Sequence, residues 1–333
     1  MHNDELPNVS VVIVTKGRHA MVARAVESVL SAEYPTEKRQ VVVLEETDTP
    51  RPISGPGVVY RTIPEQGLGF GFARNEALRH AEHPLIVFAD DDCVVERDWL
   101  VEIVTPIRTG KAAAVGGAVL VPTCGPVGQC ENILGFPGGG AHYLNNAKGR
   151  VVPCQTFSTC NCAVLRTVLD QNGGFDPGLR HGGEDELLSR RIAQVGPIVY
   201  NPKAVVRHRP RDSLLKVAGW FARRGRSRVD LLRHSPREPE MVLGVIKNSP
   251  FLRLLAVLVV LGLNGLPVFG SLIVLGVVYY SVILWRYRWS RQYFPALATF
   301  VVIPLVKITM DVGMDVGIAV ALSARLKVCL CGE

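Results

Sequence analysis

A CxxC pair is missing from the 333 residues, although eight cysteines are present at 93, 124, 130, 154, 160, 162, 329 and 331. Without that spacing the expectation is free thiols in a reducing compartment, and a zinc site built from Cys154, Cys160 and Cys162 is the alternative. Charge is also scarce, at 20% of residues, while 48% are hydrophobic and the mean hydropathy is +0.21. Those values exclude a purely soluble protein, so part of the chain should meet lipid. No signal-peptide pattern precedes the first strand, because Met1-His2-Asn3-Asp4-Glu5-Leu6-Pro7 is short and polar, and the amino-terminal part is expected in the cytosol. Acidic residues are outnumbered: the formal charge is +7 and the pI about 9.1. Phosphates, nucleic acid and a membrane surface are the partners such a balance favours.

What the chain does have is Leu85-Ile86-Val87-Phe88-Ala89 running straight into Asp90-Asp91-Asp92-Cys93. An apolar run of strand length that ends in acids is how a buried parallel strand delivers charged side chains to a sheet edge. Three adjacent carboxylates repel one another, and a hard divalent cation, Mg²⁺ or Mn²⁺, would neutralise them while holding diphosphate oxygens. A solvated acidic turn is the plainer alternative. Residues 9–14 form a second buried run, followed by Thr15-Lys16-Gly17-Arg18 and a helical pattern over 21–32. That loop puts two cations and a glycine where a strand meets a helix N-terminus, a place suited to an anion.

Further strands are expected at 40–44, ending in Glu45-Glu46, and at 58–63, the latter short and peripheral. A glycine-rich loop at 67–71 leads into a helix through Ala73-Arg74-Asn75; a helix at 99–109 and a strand at 113–121 follow. Strands alternating with helices argue for a parallel sheet wound in α/β fashion, with ligands at the carboxyl ends of the strands. Gly135 to Gly140 reads as a mobile loop. Further on, Gly182-Gly183 precede Glu184-Asp185, which open a helix; acids there also complement the helix dipole.

Taken in order, these segments resemble a family 2 glycosyltransferase with the GT-A fold, across about residues 9–236. The resemblance rests on the opening strand with Thr15 to Arg18, Ala73-Arg74-Asn75, Asp90-Asp91-Asp92, Asn161 to Arg166 with Gly174-Phe175-Asp176, and Gly183-Glu184-Asp185. It implies an α/β nucleotide-diphospho-sugar transferase domain with a Rossmann-like mixed sheet. On that likeness Asp90 meets the nucleoside ribose beside Asp91, and Thr15, Lys16, Arg18 and Arg74 steady phosphates. Asp92 binds Mn²⁺ or Mg²⁺, with His208 a candidate second ligand. The acid ending the second strand, Glu45 here where the family usually has Asp, contacts the base, with Glu46 as the alternative. Asp185, next to Glu184, is the general base, and the acceptor side is expected at Asn161, Arg224 and Arg226. An inverting transfer needs a carboxylate behind the acceptor hydroxyl and positive charge at the leaving diphosphate, and these residue types fit both.

From Arg207 to Arg237 nine arginines and a lysine alternate with Leu214, Val217, Trp220, Phe221 and Leu231. That pattern suits a helix lying among lipid headgroups; nucleic acid loses as a partner because no recognised nucleic-acid module surrounds it. The QxxRW motif of processive family members is absent, so transfer of a single sugar is expected. Residues 254–285 are uncharged and apolar, interrupted by Asn264-Gly265-Leu266-Pro267 and flanked by Arg253 and by Arg286, Arg288 and Arg291. Cations on both flanks place both in the cytosol, which a tight hairpin of two short helices fits better than one span; each arm is brief for a full crossing, and a shallow re-entrant hairpin is the alternative. The apolar stretch from Phe294 carries Lys307, Asp311 and Asp315, spaced by four and expected to avoid lipid by pairing with each other or facing the hairpin.

The expected organisation is a catalytic domain over 1–206, a basic interfacial segment over 207–250 and membrane helices over 251–333, at the cell membrane with the catalytic domain in the cytoplasm. The expected activity is metal-dependent transfer of one sugar from a nucleotide-sugar donor to a lipid-linked or otherwise membrane-bound glycan acceptor. A nucleotidyltransferase on a similar sheet and a non-catalytic membrane adaptor are the competing classes. Release of pyrophosphate would mark the first, and metal-dependent turnover of a sugar nucleotide would exclude the second.

Overall fold

A computed structural model describes residues 6–234, 246, 249–292 and 295–331. Met1 to Glu5, Arg237 and Phe294 lie outside the described residues, as do the side chains of Cys329 and Cys331. The chain divides into two compact units, residues 1–122 with 135–210, and residues 123–134 with 211–333.

The first unit is built on a nine-stranded sheet of β1 (Val9–Thr15), β2 (Arg39–Glu46), β3 (Val58–Ile63), β4 (Leu85–Ala89), β5 (Cys93–Val95), β6 (Ala114–Leu120), β7 (Val152–Pro153), β8 (Asn161–Leu165) and β9 (Ile198–His208). Its order is β3-β2-β1-β4-β8-β6-β9-β5, with β7 paired to β9. The parallel winding expected from the sequence holds across β3-β2-β1-β4 and again for β6 and β9, but β8 runs antiparallel to both β4 and β6. A buried strand reads as an apolar run in either direction, so the reversal leaves no mark in composition.

Alternation explains why the strands are apolar throughout. Val9, Val11 and Ile13 of β1, Val41 and Val43 of β2 and Leu85, Val87 and Ala89 of β4 face one core, which α1 (His19–Leu30) covers with Val22, Val26 and Val29. The intervening residues Val12, Val14, Val42, Leu44, Ile86 and Phe88 face the other core, closed by Ala73 and Ala77 of α2 (Phe70–Leu78). Successive side chains point to opposite faces, so a sheet covered on both sides needs every position apolar. Trp99, Leu100 and Ile103 of α3 (Trp99–Arg108) join the first core.

Next in the chain come α4 (Pro126–Ile133), which belongs to the second unit, α5 (Gly140–Ala147), α6 (Arg166–Gln171) and α7 (Glu184–Ile192). Leu188 and Ile192 of α7 close the second core. Phe175, in the segment leading to α7, meets Phe88 edge-on with ring centroids 5.3 Å apart and planes at 87°. Such a pair adds about 0.5–1.5 kcal/mol beyond the area it buries, and it ties the approach to α7 onto the strand that carries the acids. Residues 135–140, expected to be a mobile loop, are instead packed. Gly138 has φ +56 and lies so close to Val119 and the Cys160 sulfur, 3.2 Å from where its own Cβ would be, that no other residue fits.

In the second unit α8 (Leu214–His234) packs on the long α11 (Ile303–Cys331), with α9 (Pro250–Leu263) and α10 (Val268–Arg286) between them in sequence. Val217, Phe221 and Val229 of α8 are buried, as are Val306, Met310, Met314 and Ile318 of α11. A Cβ on Gly225 would collide with the Met314 carbonyl oxygen, and one on Gly317 with that of Ala222. The apolar stripe expected to face lipid headgroups is therefore spent on a neighbouring helix. The basic segment is correspondingly no separate piece: residues 211–234 share one unit with the apolar helices and with α4, where Arg211 pairs with Glu131 at 2.7 Å and lies over the Trp220 ring. Lys307 pairs with Asp311, which also accepts from the Tyr279 hydroxyl, and Asp315 accepts from Ser249 Oγ at 2.5 Å and Phe251 N at 3.0 Å. Among the described residues α10 alone is long and apolar enough to cross a membrane.

Candidate active site

The carboxyl ends of β1, β2 and β4 lie side by side, with Thr15 in register with Glu45. Asp90, Asp91 and Asp92 follow β4 directly, and the antiparallel pairing of β5 with β9 sets His208 opposite Cys93, next to Asp92. Sequence neighbours thus separate into distinct tasks.

Asp91 turns inward. Its Oδ2 accepts from the Thr15 hydroxyl at 2.6 Å and its Oδ1 lies 3.2 Å from Arg18 Nη1. Burial pushes its carboxyl up to about 6, the neighbouring charges of Asp92 and Asp90 add to the rise, and Thr15 and Arg18 oppose it. A role for Asp91 and Thr15 in touching donor is not what this geometry supports; both atoms of the hydrogen bond are spent on shaping the turn. Arg18 is half exposed and also reaches Asp92 Oδ2 at 3.4 Å.

Asp92 Oδ1 faces His208 Nε2 at 3.2 Å, and His208 Nδ1 is 2.8 Å from the Arg209 carbonyl oxygen. With Nδ1–H donating to that carbonyl, Nε2 and Oδ1 are two lone-pair atoms aimed at the same space. A proton or a metal ion must sit between them, and an imidazole anchored through its other nitrogen is the usual arrangement of a metal ligand. Cys93 Sγ comes within the same cluster. Burial raises its thiol well above the ordinary range and it donates to the Cys160 carbonyl, so it offers no thiolate to a hard cation. Asp92 and His208 fit Mn²⁺ or Mg²⁺ as an oxygen and nitrogen donor pair. Cys154, Cys160 and Cys162 form no ligand cluster among the described residues, and all three thiols are raised by burial.

The second acidic segment reaches the first through Arg74. This arginine is 4% exposed; its Nη1 is 2.5 Å from Glu184 Oε1 and its Nη2 is 3.3 Å from Asp90 Oδ1. Burial works against its charge, but the carboxylates of Glu184, Asp90 and Asp185 outweigh that and raise its pKa. Arg74 was expected to steady phosphates. It is instead an internal strut between two acid clusters, covered by the rings of Phe70 and Phe175 at 5.5 and 5.6 Å. Glu184, expected beside Asp185 as a catalytic acid, is likewise buried and committed to Arg74, which makes it a positioning residue. Asp185 occupies the first turn of α7, its Oδ1 accepting from Glu186 N at 2.8 Å, and is less buried than Glu184.

Sequence reasoning missed what holds this strut. Asn75 grips Phe175 on both sides, donating from Nδ2 to its carbonyl at 2.7 Å and accepting its N–H at 3.0 Å. Only a glycine at 174 leaves room, since a Cβ there would stand 2.8 Å from Asn75 Oδ1. The signal was in plain sight as Ala73-Arg74-Asn75 and Gly174-Phe175-Asp176, but nothing local says that the two touch.

Other expected contacts are placed differently. Asn161 is 1% exposed; its amide donates to the carbonyls of Ala118 and Ala204 at 2.8 Å each, and its oxygen accepts from Trp99 Nε1 at 2.8 Å. It has no atom left for an acceptor. Glu45 is buried and accepts from the Tyr60 hydroxyl, whose pKa burial and Glu45 push up to about 12. Glu46 accepts from Gly67 N at 2.5 Å and Gln66 N at 2.9 Å, and from Lys16 Nζ at 3.2 Å. Burial pushes its carboxyl up, yet the Gly67 N–H and Lys16 bring it below the ordinary value. Lys16 also pairs with Glu65 at 3.0 Å, so it and Glu46 fasten the glycine-rich loop. Arg224, over the Trp220 ring at 5.5 Å, and the exposed Arg226 belong to α8 in the second unit.

A sheet of this order, ending in an acid cluster with one histidine drawn to it, is the GT-A fold. The family model described as Glycosyl transferase family 2 matches residues 10–170, just under half of the chain. The chain is similar to the probable N-acetylgalactosaminyltransferase 7 of Caenorhabditis elegans, 25% identical over 69% of this chain, and to the succinoglycan biosynthesis protein ExoM of Rhizobium meliloti (strain 1021), 27% identical over 62%. The chain spans 43% of the nematode protein and 68% of ExoM. Its fold resembles that of the mannosyltransferase PcManGT from Pyrobaculum calidifontis, solved with GDP-Man and Mn2+, at a TM-score of 0.60 and 18% identity, covering 92% of this chain and 87% of that one.

Proposed function

We propose that the protein is a metal-dependent, inverting glycosyltransferase that moves one sugar from a nucleotide-sugar donor to a lipid-linked or otherwise membrane-bound acceptor. The observation that carries the metal is the approach of Asp92 Oδ1 to His208 Nε2, 3.2 Å apart, with His208 Nδ1 held 2.8 Å from the Arg209 carbonyl oxygen. Charge supports it as well. Among the described residues Asp90, Asp91, Asp92 and Glu184 pair with Arg18 and Arg74, and Asp185 stands near Arg74 as well, an excess of negative charge that suits a divalent cation. Mn²⁺ or Mg²⁺ held by Asp92 and His208 would stabilise charge developing on the departing diphosphate. Support also comes from PcManGT, whose structure was solved with GDP-Man and Mn2+.

The chain's own residues divide the rest. Asp90, anchored by Arg74 and a third exposed at its side chain, accepts from the donor's ribose hydroxyls. Arg18, half exposed beside Asp91 and Asp92, adds positive charge where the diphosphate lies. Base recognition falls to the end of β2, where Glu45 and Glu46 stand. Asp185 takes the acceptor hydroxyl's proton as the new bond forms, and Glu184 with Arg74 fixes the turn that presents it. The apolar helices hold the protein at the cell membrane with the catalytic unit in the cytoplasm.

Asp92→Ala should abolish donor turnover and the Mn²⁺-induced rise in melting temperature. Asp185→Asn should keep donor binding and lose transfer by a factor of about 100 or more. Full transfer by Asp185→Asn would remove the base assignment, and pyrophosphate as product would replace glycosyl transfer with nucleotidyl transfer.

A further inference from the structure

We infer that α9 and α10 form a re-entrant hairpin that enters one leaflet of the bilayer and turns back inside it, so that both ends stay on the same side. The inference rests on the membrane attachment proposed above and goes beyond it by fixing depth and topology. The occupant of this apolar surface is the lipid acyl layer.

Length is the first reason. Crossing takes about 20 residues, and α9 has 14, so this arm ends inside the hydrocarbon. Charge placement is the second. No charged residue occurs from 254 to 285, whereas the Lys307–Asp311 pair of α11 is bonded to α10 at Tyr279 and Asp315 is bonded to the start of α9. These charges mark the polar depth. From Tyr279 to the tip at Val268, α10 extends about 16 Å at 1.5 Å per residue, close to half of a hydrocarbon core about 30 Å thick. At the opposite end, Arg286, Arg288 and Arg291 with Trp285 are the cations and aromatic expected at a headgroup layer.

The tip is the third and most specific reason. Leu263, Leu266, Val268 and Phe269 are 82%, 50%, 57% and 77% exposed, with no charged neighbour to meet water or headgroups on a far side. The end of α9 is closed on itself, while Val268, Phe269 and Gly270 open α10 without a capping side chain. Gly265, with φ +76, lets its own N–H reach the Gly262 carbonyl at 3.0 Å and the Leu266 N–H reach that of Leu261 at 3.1 Å. The Asn264 amide donates to the Val260 carbonyl at 2.8 Å, and Ser271 caps the Pro267 carbonyl with both N–H and hydroxyl at 3.0 Å. These bonds occupy the last carbonyls of α9 and the Pro267 carbonyl, groups that would cost several kilocalories per mole if left unpaired in hydrocarbon.

The test uses the full chain reconstituted in sealed vesicles of phosphatidylcholine and phosphatidylglycerol with the catalytic unit outside. Leu266→Cys, compared with the unsubstituted protein, should react with a membrane-impermeant maleimide neither from outside nor from reagent trapped inside, and should react once detergent is added. Arg288→Cys should react from outside. A fluorophore at position 266 should be quenched more by a nitroxide at the acyl-chain end than by one at the headgroup. Labelling by trapped reagent would show a crossing hairpin, and labelling from outside a hairpin that does not insert; either overturns the inference. Flotation separates this from the parent reading: a protein that does not float with vesicles loses membrane attachment itself, while one that floats with a tip reachable from inside loses only the re-entrant topology. Leu266→Asp with Phe269→Asp should weaken vesicle partitioning about a hundredfold, with the Mn²⁺-induced melting shift unchanged as the check that the first unit is folded.

Discussion

Arg74→Met is the substitution that most directly tests how the site is held. The side chains of Arg74 and Glu184 are each 5% exposed, and Glu184 Oε2 is a buried atom with no partner. Methionine fills the arginine's volume between Phe70 and Phe175 but leaves the Glu184 carboxylate alone in the core. Breaking a buried pair by removing one member costs about 3–5 kcal/mol; the lost contact to Asp90, whose side chain is 31% exposed, adds under about 1 kcal/mol. Glu184→Gln should cost less, about 2 kcal/mol, because Arg74 keeps Asp90 as a partner. The double substitution Arg74→Met with Glu184→Gln should recover about 1–3 kcal/mol relative to the sum of the two single losses. Urea titrations read by pulse labelling of Cys93, Cys160 and Cys162 report on the first unit alone, since all three thiols are within 2% of full burial. An Arg74→Met protein within about 1 kcal/mol of the parent, or strict additivity in the double variant, would refute the strut.

Four further outcomes follow from the same geometry. Relative to Asp91→Asn, the metal-free parent should lose stability as pH rises from about 4 to about 6, because a carboxyl raised from 3.8 to about 6 binds its proton more tightly folded than unfolded; melting curves in EDTA across that window check the sign, and a relative gain would contradict it. The gap corresponds to at most about 3 kcal/mol. His208→Ala should weaken Mn²⁺ stabilisation about 10- to 100-fold while leaving the metal-free melting temperature within about 3 °C, measured by titrating the ion against thermal unfolding. Asn75→Ala should destabilise the first unit by about 2 kcal/mol through the unpaired Phe175 backbone and lower transfer by disturbing Glu184 and Asp185, read by urea titration and by product formation. Gly317→Leu should separate α8 from α11 and cost more than about 3 kcal/mol, seen as early unfolding of the second unit by Trp220 fluorescence.

The strands were legible because each had to be apolar on both faces, and the helices because glycine, proline and acids punctuate them. The acids at strand ends were legible for the same reason: a charge that closes an apolar run has nowhere to go but the sheet edge. Asn161 shows what was not. Its burial depends on a register shift in the pairing of β6 with β9 between Gly117 and Ala118, which opens the carbonyls of Ala118 and Ala204 toward one amide. Gly117 is glycine because a Cβ would collide with that amide nitrogen. Three chain segments create the environment, and no local pattern in any of them announces it. Arg74 misled for a related reason, since an arginine near acids reads equally well as a phosphate ligand or as a buried countercharge, and only exposure decides.

That distinction organises the whole site. A guanidinium sealed beneath Phe70 and Phe175 is a permanent countercharge shared by Asp90 and Glu184: it cannot leave, so the two acidic segments stay joined whether or not substrate is present. Asp92 and His208 are arranged the opposite way, with lone pairs facing one another and only the half-exposed Arg18 nearby. Their charge is left for something that arrives. An ion held there with a diphosphate would offset the negative charge of the acid cluster and supply differential stabilisation as the leaving group takes up charge. Replacing Arg18 by a fixed, buried cation would offset that charge in advance and, by the same argument, lower donor turnover.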